Sequence, residues 1–269
     1  MLFALLLVGA LSEAQGTSLG EGKLDATSLD EGQRLFYNAR YQEAAAFALP
    51  LCMAEPVDLA ACELATSALH FQIKRALGDT KDPGKALPLC APCAALMTSF
   101  AEATTRGQVA ARAKVMADPA DDETKFLLGK LDLNFVWLQL GTLGRKTGWK
   151  EYWEARNSLD EVIARNPNLL RARVARAWID YIVDTRMPRM TKWVLGGGNK
   201  KRGLAVVAEV ANNPAAEPFV AAEAIFALWD MQVREKQIPA AVLTARRLTR
   251  DFPDNPDLAK FLAANQAAN

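Results

Sequence analysis

Gly32-Gln-Arg-Leu-Phe-Tyr-Asn-Ala-Arg-Tyr41-Gln-Glu-Ala44-Ala-Ala-Phe-Ala-Leu-Pro-Leu-Cys-Met-Ala-Glu-Pro56 is the stretch whose reading decides the fold. Tyr41, Ala44 and Pro56 follow Gly32 by 9, 12 and 24 residues. The same succession of large apolar residue, alanine and closing proline returns at Tyr152, Ala155, Leu159 and Pro167, and again at Ile238, Ala241, Ala245, Leu248 and Pro253. A further unit ends at Asn213-Pro214 and fits loosely, with Gly203 where alanine is expected and the proline one residue early. Residues 59–117 fit no unit and read as a degenerate pair or as inserted helices.

Outside these units the apolar residues also return at three- and four-residue steps, as in Leu127, Leu128, Leu131, Phe135 and Leu138, or Val174, Ala177, Trp178, Tyr181 and Ile182. That is the period of a helix and not of a strand. Breakers fall at Pro56, Pro83, Pro119, Gly148, Pro167, Pro188 with Gly196–Gly198, Pro214, Pro239 and Pro253. The expectation is an all-α chain, an α-solenoid of about five antiparallel helix pairs, because a short pair can bury its apolar face only on its neighbours. The Gly32–Pro56 pattern and its two echoes resemble the tetratricopeptide repeat family over roughly two thirds of the chain. In that family the glycine lets the first helix pack closely on the second, an aromatic closes the turn, an alanine sits at the helix crossing and a proline ends the unit. The resemblance implies a concave groove lined by the first helix of each pair.

The 269-residue chain is 51% hydrophobic, enough for a sizeable core, and its 31 acidic and 32 basic residues nearly cancel. Nothing in that balance points to nucleic acid or an anionic membrane. Leu2 to Leu11 is almost wholly apolar, and Ser12-Glu13-Ala14 places small residues where signal peptidase reads them, although no Lys or Arg precedes the run. The expectation is an export signal over 1–14, a polar, glycine-rich leader over 15–27, helices with four cysteines over 28–117 and continuous helix pairs over 118–269. Order is expected from Ser28, where Ser28-Leu-Asp-Glu31 has capping-box form. No later stretch has the roughly 20 apolar residues that a transmembrane helix needs.

Cys52, Cys62, Cys90 and Cys93 are even in number and clustered, which in an exported chain predicts two disulfides of unspecified connectivity. Free buried thiols are one alternative, and a four-thiolate zinc site is another, with only Cys90-Ala-Pro-Cys93 at the usual spacing. A thioredoxin-like role lacks the βαβ pattern it needs. His70 is the only histidine and reads as structural. No metal, cofactor or catalytic constellation is expected.

Two regions are candidates for binding. The link from Met187 to Asn199 is long for such a fold, and Arg186, Arg189, Lys192, Lys200, Lys201 and Arg202 make it basic. Its three glycines before a helix start either form a plain turn ahead of a solvated basic helix face or offer bare N–H groups to an anion. Its apolar residues predict that it folds back over the groove, with Trp193 against Trp178 and Tyr181. The Gly-Gly turn followed by lysine also bears a faint resemblance to the T component of TRAP transporters, an exported helical-repeat partner of a substrate-binding protein. The second region is the groove itself, where Asp132, Trp137, Trp178, Asp180, Tyr181, Asp184, Trp229 and Asp230 put acids beside aromatics. The acids either face water or pair with Lys130, Arg173 and Arg176. The leading expectation is a non-catalytic exported scaffold that holds a protein or peptide in its groove. The alternative is a small-ligand carrier or transport accessory with a pocket near residues 187–202. Oligomeric state is open.

Overall fold

A computed structural model describes residues 26–265, of which no residue is in a strand. The expected export signal over 1–14 and most of the leader over 15–27 lie outside the described residues. The helices are α1 (Ala26–Tyr37), α2 (Tyr41–Met53), α3 (Leu59–Leu77), α4 (Pro83–Ala86), α5 (Cys93–Ala117), α6 (Asp122–Val136), α7 (Trp149–Arg165), α8 (Leu170–Arg186), α9 (Arg189–Val194), α10 (Lys200–Ala211), α11 (Pro218–Arg234), α12 (Ile238–Asp251) and α13 (Pro256–Ala264). A 3-10 turn over Leu87–Leu89 follows α4, and a π-turn over Trp137–Thr142 continues α6. Helix α1 starts at Ala26, two residues before the Ser28 cap that the sequence predicts.

Local chemistry explains where the other helices begin. The carboxyl or amide oxygens of Asp58, Asp121, Asn199 and Asn255 accept from the free N–H groups of α3, α6, α10 and α13. Packing then runs in chain order: α1 on α2, α3 on α5, α6 on α7, α8 on α10 and α11 on α12, each pair resting on the next. Residues 59–117 are therefore a helix pair, α3 with α5, into which α4 and the 3-10 turn are inserted. Ala44, Ala155, Ala241 and Ala245 are wholly buried at the helix contacts. A Cβ on Gly32 would lie 2.8 Å from both Leu64 and Phe47, so the first helix can approach only without one.

The chain also closes on itself, which an open groove does not require. Tyr37 at the end of α1 stacks on Phe226 of α11, with ring centres 5.3 Å apart, and meets Phe219 and Phe252. Asn255 donates to the Tyr37 carbonyl at 2.7 Å, and the Asp254 N–H donates to Asn38 at 3.2 Å. Left apart, these rings would expose a large apolar patch to water, and their burial draws the two ends together.

Inside the curl, four first-of-pair helices meet at one charge cluster. Lys130 of α6 bridges Glu223 of α11 at 2.5 Å and Glu63 of α3 at 3.5 Å, while Arg171 of α8 reaches the same two carboxylates at 3.1 and 3.3 Å. Burial works to raise the Glu223 carboxyl, but Lys130 and Arg171 overcome it and hold it down at about 2. The inner face is therefore occupied by its own salt bridges at this level. Lys130 pairs with Glu63 and Glu223, and not with the aspartates named from the sequence. No single described helix is long and apolar enough to cross a membrane.

Candidate functional site

A cleft lies at the corner of α8, α10 and α11. It has a volume of about 470 Å³ and is lined by Tyr181, Asp184, Thr185, Arg186, Lys200, Arg234 and Glu235. The C-terminal turns of α8 bring Tyr181 to Arg186 to one wall. The start of α10 supplies Lys200, and the end of α11 supplies Arg234 and Glu235.

Glycine sets this corner. A Cβ on Gly203 would lie 2.6 Å from the Ala177 carbonyl oxygen, and one on Gly198 would lie 2.5 Å from the Asp184 nitrogen. The first turn of α10 therefore lies directly on the backbone of α8. Gly203 stands where the repeat pattern calls for alanine because even a methyl group does not fit there.

The glycine loop does not offer bare N–H groups to an anion, as its sequence implies. The Asp184 carboxylate already accepts from the Lys200 N–H at 2.9 Å, and Asn199 accepts from Arg202. What the loop presents outward is carbonyl oxygen, and Arg156 takes it, donating to Leu195, Gly196 and Gly197 at 3.0, 2.9 and 3.2 Å. The chain has supplied both the anion and the cation that this loop would attract.

The acids of the cleft are fixed as carboxylates. The hydrogen bond from Lys192, 2.8 Å from Asp184, holds that carboxyl below its usual range. Glu235 is held low by Lys200 at 2.6 Å and also accepts from the Tyr181 hydroxyl at 3.1 Å. Burial, then this bond, pushes the Tyr181 phenol up to about 12. Arg234 pairs with Asp230 at 2.6 Å and lies over the Trp178 ring, which itself stacks on Tyr181. Arg186 has no ion pair or hydrogen bond among the described residues, so the cleft keeps one uncompensated cation at its mouth.

The other sequence-predicted residues divide clearly. Tyr181, Asp184 and Lys200 line the cleft, and Trp178 and Asp230 support it from behind. Asp180 is buried between Arg176 at 2.6 Å and Arg202, whose Nε is 2.9 Å away, and locks α10 onto α8. Arg173 pairs with Glu209 instead. Lys201 is exposed, with no partner among the described residues. Trp137 and Trp229 are packing residues, Trp229 edge-on to Phe226 and Phe261. Asp132 is wholly buried on α6, away from the cleft, where it accepts from Gln108 at 2.6 Å beside Arg112 and Glu154.

Trp193 departs most from expectation. It does not cover the groove against Trp178 and Tyr181: it is 85% exposed on α9, beside exposed Met190. The link is instead pinned by Leu195, which is buried in the core and whose carbonyl also accepts from the Tyr152 hydroxyl at 2.9 Å. Thr185, Arg234 and Glu235 are the cleft residues that sequence reading missed.

All four cysteines are bridged, Cys52 to Cys62 and Cys90 to Cys93, which fixes the connectivity and replaces the zinc alternative. His70 hydrogen-bonds Thr142 of the π-turn at 2.8 Å, and burial, with Lys74 nearby, lowers its ring to about 3. It is a neutral packing residue.

No family model, curated protein or solved structure matches this chain. The reading of its function therefore rests on the geometry above and on the spacing of its motifs.

Proposed function

We propose that this is a non-catalytic, exported binding protein of tetratricopeptide type, and that it takes a compact anionic ligand in the cleft between α8, α10 and α11. The observation that carries this is Arg186, without a partner among the described residues, at the rim of a cleft whose own carboxylates are already neutralised by Lys192 and Lys200. A carboxylate-bearing molecule entering there meets Arg186 and the flanks of Lys200 and Arg234 without displacing a buried pair. Tyr181 lies beneath, its hydroxyl donating to Glu235. This favours the small-ligand accessory over a scaffold that holds a peptide along its inner face, because salt bridges fill that face at Glu63, Lys130, Arg171 and Glu223. The two disulfides support export, since such bonds persist in oxidising compartments. The cleft's place beside the basic link supports the transport-accessory role that the faint T-component resemblance implies.

The test is calorimetric titration of the purified chain with a panel of small mono-, di- and tricarboxylates, repeated on Arg186→Ala. Binding that weakens tenfold or more in the variant, and weakens with salt, supports the proposal. Binding of equal strength in both proteins would place the ligand elsewhere. Capture of an acidic protein through the same arginine, with no small ligand bound, would return the scaffold reading.

A further inference from the structure

We propose that Cys90–Cys93 is a thiol–disulfide exchange site that takes electrons from thiols, whereas Cys52–Cys62 is structural. The two bridges differ in access and in placement, both of which govern exchange. Cys52 and Cys62 are both wholly buried, between α2, α3 and α5, and no thiolate can reach them without unfolding. Cys90 is half-buried in the surface segment after α4, flanked by exposed Leu89, Ala91 and Pro92, while its partner Cys93 is wholly buried. Only one sulfur of this bridge is therefore open to attack.

The local structure does not depend on the bond. The Cys90 N–H already donates to the Leu87 carbonyl at 3.2 Å, and the Cys93 N–H donates to the Cys90 carbonyl at 3.0 Å. A bridge across three residues also closes too short a loop to restrict the unfolded chain much. Its placement instead serves chemistry. Cys93 is the first residue of α5, a 25-residue helix, and the positive end of the helix stabilises a thiolate formed there.

The exchange balances as follows. A partner thiolate attacks Cys90 Sγ, the Cys90–Cys93 bond breaks, and its electron pair leaves on Cys93 as a thiolate. A mixed disulfide now joins the partner to Cys90. A second partner thiolate attacks the partner's sulfur in that bond and releases Cys90 as a thiolate. Two partner thiols have become a disulfide, their two protons pass to Cys90 and Cys93 through solvent, and the protein has gained two electrons. A disulfide-bearing molecule returns the pair to its starting state by the reverse steps. Leu89, 86% exposed beside Cys90, gives a partner chain an apolar contact at the point of attack. Among the described residues no strand surrounds the pair, so partner recognition differs from that of a thioredoxin-like domain.

The experiment uses the full oxidised chain. It is equilibrated in graded glutathione redox buffers and alkylated, and its peptides are mapped by mass spectrometry. Cys90–Cys93 is expected to open at a reductant level at least tenfold below that needed for Cys52–Cys62. Equal opening of both bridges would overturn the proposal. Cys93→Ser and Cys90→Ser are then exposed to oxidised glutathione. The Cys90 thiol of the first is expected to form an adduct at least tenfold faster than the Cys93 thiol of the second, and equal rates would also overturn it. The wild-type measurement decides the matter even if either variant fails to fold.

Discussion

Replacing Asp132 with Asn should stabilise this protein, and by an amount that depends on pH. Asp132 has no exposed surface; one oxygen accepts from Gln108, and Oδ2 meets no donor among the described residues. Burial, and then the neighbouring Glu154 carboxylate, push its carboxyl up to about 8, despite Arg112 nearby. Burial works to raise Glu154 as well, but its hydrogen bonds with Arg112, 2.6 Å away, override that and hold it low. The proton of the pair therefore sits on Asp132 at neutral pH, whereas an unfolded chain would release it near 3.8. Each pH unit between those states is worth about 1.4 kcal/mol, so keeping the proton at pH 7 costs the fold roughly 4 kcal/mol. The lowered Glu154 returns part of this, and a net gain of about 1–3 kcal/mol is expected for the amide, which keeps the Gln108 bond and can donate to Glu154. The sign follows from the raised folded value: the native carboxyl costs nothing below pH 4 and progressively more as pH rises toward 8. Urea unfolding of both proteins at pH 5, 6, 7 and 8 should show an advantage for Asp132→Asn that widens with pH. A constant difference, or an advantage that shrinks as pH rises, would refute the assignment of the proton.

Glu223→Ala should cost about 3–5 kcal/mol, because Lys130 and Arg171 would keep their buried charges with only Glu63 between them; an unchanged urea midpoint would show the cluster to be well hydrated. Lys236, at the turn between α11 and α12, has a φ of +59°, and its change to Gly should add about 0.5–1 kcal/mol in thermal unfolding, since only Gly occupies that region without strain. A loss of stability there would contradict the turn geometry. Trp193→Ala should stay within about 0.5 kcal/mol of wild type, because an exposed ring gives up little on truncation; a larger loss would mean that α9 packs more closely than its exposure indicates.

What the sequence made legible was local. Ala44, Ala155 and Ala241 are buried as their spacing requires, because a helix crossing imposes its size limit within one short pair. The start of α10 at Asn199 was equally readable, since a cap acts over three residues. What it hid is set by distance along the chain. Glu63, Lys130, Arg171 and Glu223 look like surface charges on four separate helices, and only the curl of the chain brings them together. Closure through Tyr37 and Phe226 is hidden for the same reason: an aromatic at a helix end reads as a turn residue until its partner is known.

The error over Trp193 has a different origin. Five apolar residues in the link were read as a unit that must leave water, yet the structure anchors the segment through Leu195 and backbone bonds to Tyr152 and Arg156, and leaves Trp193 outside. A single buried side chain suffices to fix a short link, and exposed apolar residues are common on folded surfaces. The anion reading of the glycine loop failed in a complementary way, while its reading as a turn before a basic helix did not. A helix start rich in free N–H groups does attract an anion, but the nearest was Asp184, within the last turn of α8, where the link departs. The same logic locates the functional question. Once Asp184 and Glu235 are spent on Lys192, Lys200 and the backbone, the one charge lining the cleft still without a partner among the described residues is Arg186, the last residue of α8. Tyr181, Asp184 and Lys200 of the cleft lie near it in the chain and were named from the sequence, but Arg234 and Glu235 come from the end of α11, nearly fifty residues further along, and no local motif could have marked them.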